Sequence, residues 1–131
     1  MDLTIKSKIE FEGITLHSGI FSNLLLLPSK KGYITFNNLK ISPLYVLGTS
    51  GMTNFNNVNQ VEHILSALNF LNINSIDIIC NKNELPILDG CTKVYIDKIM
   101  KVGIQKLNKK KDFLFINKEI EVNNGDSYIK F

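Results

Sequence analysis

Val61, Ile64, Leu65, Leu68 and Leu71 recur at i, i+3, i+4, i+7 and i+10. That spacing puts five apolar side chains on one helical face, and such a face needs a second layer to shield it from water. It predicts a helix over roughly 59–71, with Asn57 or Asn59 as its cap. The flanking segments have strand character instead. Residues 3–11 alternate loosely, and residues 21–27 form an apolar run closed by Pro28 and a turn. Residues 33–36 make a short strand before an Asn37-Asn38 turn, and residues 39–47 are extended, with Pro43 marking an edge. Residues 48–60 are polar and rich in turn formers, which predicts a loop. A β-branched strand follows at 75–80, then a second helix at about 92–102 presenting Val94, Ile96, Ile99 and Val102 and stopping at Gly103. Strands, helix, strand, helix in that order predict an α+β fold, a two-layer arrangement with two helices on one face of a sheet.

At 131 residues the chain is one ordinary domain, or one domain plus the start of another. Apolar residues make up 44% and charged residues 21%, which excludes a disordered chain and a small disulfide scaffold. No apolar run approaches the ~20 residues that cross a bilayer, so no transmembrane segment is expected. The N-terminus lacks an apolar signal segment, so a cytoplasmic location is expected. All 15 basic residues are lysine, and the net charge is +3. Arginine is the usual residue for bidentate phosphate and base contacts, so its absence argues against nucleic-acid readout. Cys80 and Cys91 lack CxxC spacing and read as free thiols, Cys80 as a small core residue at a strand end.

The C-terminal stretch reads differently. Residues 106–112 form a charged connector carrying Lys109-Lys110-Lys111. Residues 113–122 read as a new strand, Asn124-Gly125 as a hairpin turn, and residues 127–131 as the return strand. Two strands alone are marginal. The expected organisation is an N-terminal α+β domain over 1–105, a linker over 106–112, and the first strands of a truncated second domain over 113–131.

Four groups of residues have chemical potential. Glu62 and His63 stand in the first turn of the first helix, about 100° and 200° round from Val61 and off its apolar face. A histidine is the commonest side-chain metal ligand, and an adjacent carboxylate can act as a general base. The same pair also reads as a helix-start glutamate beside a solvated histidine. His17 lies in a turn, Leu16-His17-Ser18-Gly19, after a strand. The segment Glu84-Leu85-Pro86-Ile87-Leu88-Asp89-Gly90 reads as a tight packed loop in which Asp89 caps the second helix or bonds the turn backbone. Lys109–Lys111 suits a phosphate, an anionic membrane surface or a solvated linker. Catalytic zinc takes three protein ligands, and this chain has two histidines and no HExxH spacing.

Phe11-Glu12-Gly13-Ile14-Thr15-Leu16-His17-Ser18-Gly19, Val61-Glu62-His63-Ile64-Leu65-Ser66-Ala67-Leu68 and the Glu84–Gly90 segment follow one another in a specific order and spacing. Together they resemble the N-terminal half of the UDP-3-O-acyl-N-acetylglucosamine deacetylase family, zinc enzymes of lipid A synthesis. The residues from Phe113 onward resemble the first strands of that family's second domain. The resemblance implies two similar α+β domains with the active site between them, and a UDP-linked acylated glucosamine as substrate. It implies that His63 is a zinc ligand, that Glu62 is the general base, and that His17 belongs to an active-site loop. It also implies that two further zinc ligands and the leaving-group acid lie in a second domain or partner chain. Locally, Gln60 stands where the family usually has Thr, Cys91-Thr92 replaces a small Ser-Ala-like pair, and residues 48–60 match poorly.

Three functions are compatible with these residues. One is the N-terminal half of a zinc-dependent deacetylase, inactive alone. Another is a stand-alone binding module without catalysis. The third is a homodimer that pairs two copies of Glu62 and His63 across a two-fold axis.

Overall fold

The computed structural model describes residues 1–131. Strands β1 (Leu3–Ile5), β2 (Ile9–Ile14), β3 (Phe21–Pro28), β4 (Ile34–Phe36) and β5 (Leu39–Lys40) precede a 3-10 turn at Pro43–Tyr45. Then come β6 (Val46–Gly48), β7 (Asn54–Phe55), β8 (Val58–Asn59), helix α1 (Glu62–Phe70), β9 (Ile76–Cys80), helix α2 (Lys93–Val102) and β10 (Ile104–Lys106). A hairpin of β11 (Glu121–Asn124) and β12 (Ser127–Lys130) closes the series. The fold is α+β, as the element order predicts.

The central sheet has the order β2-β3-β9-β4-β5, with β4 parallel to β9 and the other pairs antiparallel. Register aligns Ile9 with Leu26, Leu26 with Ile78, and Ile78 with Phe36, so four buried apolar residues form one row across the sheet. Phe11, Leu24 and Cys80 form the next row. Side chains alternate faces along a strand, so the opposite face carries Glu10 and Glu12, both exposed. Both helices close the apolar face. Ile64, Ala67 and Leu68 of α1 and Tyr95 and Ile99 of α2 join the sheet rows in a single core. Helix α1 ends as Asn72 turns to φ +56° and the Ile73 N–H closes back on the Leu68 carbonyl at 2.9 Å. Neither helix is long and apolar enough to cross a membrane.

The structure departs from the sequence reading at several points. The 3–11 stretch is two strands, because β1 leaves the central sheet to pair with β10, Thr4 opposite Gln105. Only Leu39–Lys40 of residues 39–47 joins the central sheet, as its edge strand. Residues 48–60 are not an open loop. Strands β6, β7 and β8 make a small antiparallel sheet, turning at Asn56 (φ +46°) and Asn57 (φ +66°). Asparagine tolerates the left-handed conformation that a two-residue hairpin turn requires. Neither Asn57 nor Asn59 is therefore available to cap α1. The cap position falls to Val61, with no side-chain bond. In α2 the predicted Ile99 is fully buried, and it is joined by Tyr95, whose ring lies 4.8 Å from that of Phe11. Val94, Ile96 and Val102 are only partly buried. Residues 113–122 are a strand only from Glu121 onward. Cys80 is buried at the end of β9 and Cys91 is exposed, both as free thiols.

The α1 stripe generates a stability prediction. Ile64 is fully buried and faces the sheet, so Ile64→Ala is expected to cost about 2–5 kcal/mol through lost burial and the cavity left behind. Chemical denaturation of the two proteins measures this, and a loss under about 1 kcal/mol would mean α1 is not clamped to the sheet.

Candidate functional site

Glu84 organises the region that contains the candidate residues. It lies just past β9, and only 3% of its surface is exposed. A buried carboxylate needs donors, and the β2–β3 turn provides three. His17 N–H donates to Oε1 at 2.7 Å, while Ser18 N–H at 3.0 Å and Ser18 Oγ at 2.7 Å donate to Oε2. Burial pushes the Glu84 pKa up, and the hydrogen bonds from His17 and Ser18, with the nearby His17 charge, outweigh it and hold it below the ordinary 4.5. The backbone on either side is also engaged. The Glu84 carbonyl accepts Ser22 Oγ at 2.8 Å, Leu85 N–H donates to Asn59 O at 3.1 Å, and Ile87 N–H donates to Ile14 O at 3.0 Å. One short segment thus ties the His17 turn to the residues just ahead of α1.

The turn itself is braced from within. Thr15 is buried, its N–H donates to Ile20 O at 2.9 Å, and its Oγ1 accepts Ile20 N–H at 3.0 Å. His17 projects from this frame as an exposed side chain. The bonds that hold it in place run through its backbone, leaving the imidazole to solvent.

Glu62 and His63 open α1. Glu62 Oε2 accepts the Thr53 N–H at 2.9 Å, and Oε1 lies 3.6 Å from His63 Nε2. The Glu62 side chain is 37% exposed and that of His63 31%, so both are accessible, and Glu62 is anchored by Thr53. The carboxylate also sits at the positive end of the helix dipole. Its bond to Thr53 comes from the chain between β6 and β7, so the small sheet fixes the rotamer of Glu62. Gln60, two residues earlier, takes φ +64°, is 4% exposed, and leaves its Oε1 without a partner.

The structure therefore pairs Glu62 with His63 and ties His17 to Glu84. No hydrogen bond or ion pair joins His17 to the Glu62–His63 pair. No three His, Cys, Asp or Glu side chains gather to hold a metal. One imidazole and one carboxylate are a partial donor set for zinc, which takes three protein ligands in its catalytic sites. Asp89 bonds the turn backbone, accepting Cys91 N–H at 2.9 Å, and makes no cap bond to α2. Sequence reading did not single out Glu84 as a clamp. The available signal was a lone carboxylate ahead of an apolar Leu-Pro-Ile-Leu run, with no basic residue beside it to pair with after Asn83.

Comparison with known proteins adds a family. A family model, LpxC: UDP-3-O-acyl N-acetylglycosamine deacetylase, matches residues 2–131. The UDP-3-O-acyl-N-acetylglucosamine deacetylase of Nautilia profundicola is 34% identical over 138 aligned positions, covering 97% of this chain and 47% of the relative. The protein of the same name from Campylobacter fetus subsp. fetus is 33% identical with the same coverage. That from Helicobacter pylori strain J99 is 28% identical over 97% of this chain and 47% of its own length. The chain spans about half the length of the curated relatives it matches.

The clamp is testable by charge removal. Glu84→Gln keeps the shape but sets an amide N–H₂ against donors, so a loss of about 1–3 kcal/mol is expected. Because the folded pKa of Glu84 is lowered, its stabilisation is present above 4.5 and is lost as pH falls through the folded value. The stability gap between the two proteins should be full near about pH 7 and shrink toward about pH 3, while other carboxylates cancel in the difference. A gap that stays constant across that range would show that the charge of Glu84 does not hold the turn.

Proposed function

The chain belongs to the UDP-3-O-acyl-N-acetylglucosamine deacetylase family, and from that premise we propose that it forms the first half of a zinc-dependent amide hydrolase that deacetylates a UDP-linked acylated glucosamine in lipid A synthesis. The observation that carries this reading is the Glu62–His63 pair at the start of α1, with Glu62 oriented by Thr53 N–H. In this reading residues 1–105 are the first domain, 106–112 a linker, and 113–131 the start of the second domain. Every hydrogen bond and ion pair of residues 113–131 is made within that segment. Phe113, Leu114, Phe115 and Ile116 are 55–94% exposed. A second domain or partner chain of the family would cover them, and the working location is the cytoplasm.

His63 supplies one zinc ligand, and the others come from the part of the relatives' length that this chain does not span. Zinc, when bound, supplies Lewis acidity toward the acetamide carbonyl. Glu62 takes the proton of the attacking water on Oε1, since Oε2 is already held by Thr53. Oε1 accepts no hydrogen bond and lies 3.6 Å from His63 Nε2, beside the proposed zinc ligand. His17 faces the substrate from the turn that Glu84 fixes. A base held by a backbone donor loses little orientational freedom when substrate arrives.

Acetate release from the UDP-sugar substrate tests the assignment. The 131-residue chain alone is expected to show no turnover, and turnover is expected on mixing with the C-terminal half of the Nautilia profundicola relative. In the mixture, Glu62→Gln should lower the rate about 10²–10⁴-fold. His63→Ala should lower the bound zinc measured by elemental analysis. Robust zinc-dependent turnover by the chain alone would overturn the half-site reading. A mixed enzyme indifferent to both substitutions would remove Glu62 and His63 from the mechanism and favour a binding module.

A further inference from the structure

Two lysine runs, about 75 residues apart in sequence, meet at one end of the fold. Lys30 and Lys31 follow β3. Lys106 ends β10, and Lys109, Lys110 and Lys111 come after it. Pairing of β1 with β10 starts the approach. Leu107 N–H then donates to Asp2 O, and Asp2 N–H to Lys109 O, both at 2.9 Å. Finally Lys109 Nζ reaches Lys31 O at 2.7 Å. Between the runs lies a cleft of about 500 Å³ lined by Lys30, Gln105, Lys106, Leu107, Asn108 and Lys109.

No carboxylate lines this cleft. Of the two beside it, one is ion-paired, and the other, Asp2, accepts from Asn74 through Oδ1 and leaves its buried Oδ2 without a hydrogen-bond partner. Asp77 pairs with Lys31 at 2.8 Å. Buried Asp2 converges with Lys109 Nζ on the space left by the missing side chain of Gly32, which sits at φ +80°. The ammonium groups of Lys30 and Lys106 have neither an ion-pair nor a hydrogen-bond partner. Cations gathered in a concave site repel one another, and a multiply charged anion relieves that repulsion. Lysine binds phosphate as a point charge with three donors, and the Asn108 amide is a neutral donor beside it. The volume falls within the ~300–1,000 Å³ of small-ligand sites. We propose that this cleft is a binding site for a phosphate-bearing anion, with Lys30 and Lys106 as its principal charges.

Titration calorimetry of inorganic pyrophosphate into the 131-residue chain tests the site directly. Saturable binding is expected, weaker at about 200 mM than at about 50 mM salt. The double variant K30Q/K106Q should weaken it at least about tenfold. K82Q/K101Q, which removes the same charge elsewhere, should not. Thermal melts check that both variants fold. If K30Q/K106Q does not, amide chemical shifts of the wild-type chain should move at Gln105–Lys109 on adding pyrophosphate, and shifts confined to other residues would overturn the site. A second arm separates the sources of the phosphate. Co-sedimentation with phosphatidylglycerol vesicles but not phosphatidylcholine vesicles, lost in K30Q/K106Q and without pyrophosphate binding, keeps the site and identifies a lipid headgroup as its ligand. Binding in neither arm, or an equal loss in K82Q/K101Q, overturns the proposal.

Discussion

A carboxylate removed from water must be matched by donors, and in this chain that requirement falls on Glu84. Its three hydrogen bonds from His17 and Ser18 are charge-assisted and short, and its burial makes them hard to replace by water. The same residue's backbone holds Ser22 of β3, and the next amide holds Asn59 ahead of α1. Remove that match and the β2–β3 turn loses its anchor to the segment that delivers Glu62. The sheet and helices would still have a core to bury. The relation between the two histidine-bearing segments would not be defined.

The remainder of the site depends on a second backbone donor. Thr53 N–H fixes Glu62, and Thr53 is held by the small sheet of β6, β7 and β8. That sheet turns on two asparagines in the left-handed conformation, a conformation most side chains resist. Helix α1 thus begins without a side-chain cap of the usual kind. Its first acidic residue points back to the preceding segment instead. The trade leaves a carboxylate that is oriented and half exposed, which suits a proton acceptor better than a cap.

Much of the architecture was legible in the residues. Val61, Ile64 and Leu68 announced the buried face of α1, Gly103 its counterpart's end in α2, and Asn37-Asn38 a turn, because each rests on a local periodicity or a local dihedral preference. Local rules failed where a partner distant in sequence decided the outcome. β1 broke from β2 because Gln105 and its neighbours offered an alternative ladder. Tyr95 outranked Val94 and Ile96 because Phe11 stood opposite it. Residues 54–59 form a hairpin beside β6, and Asn83 and Leu85, distant in sequence, hold its end through backbone bonds to Asn59.

The sequence by itself determined the α+β class, the helix that presents Glu62 and His63 off its apolar face, and the family to which the three motifs belong. The first two follow from spacing along the chain and the third from the resemblance of the motifs, and none of them needs knowledge of what lies across the fold. Only the tertiary structure decided that Glu84 is a clamp, that Thr53 orients Glu62, and that Lys30 and Lys106 share a cleft. Those relations join residues that are between 9 and about 76 positions apart, and their energies depend on burial and distance. A carboxylate in water and a carboxylate at 3% exposure are the same letter in the sequence, and burial together with the donors gathered round it makes them different groups.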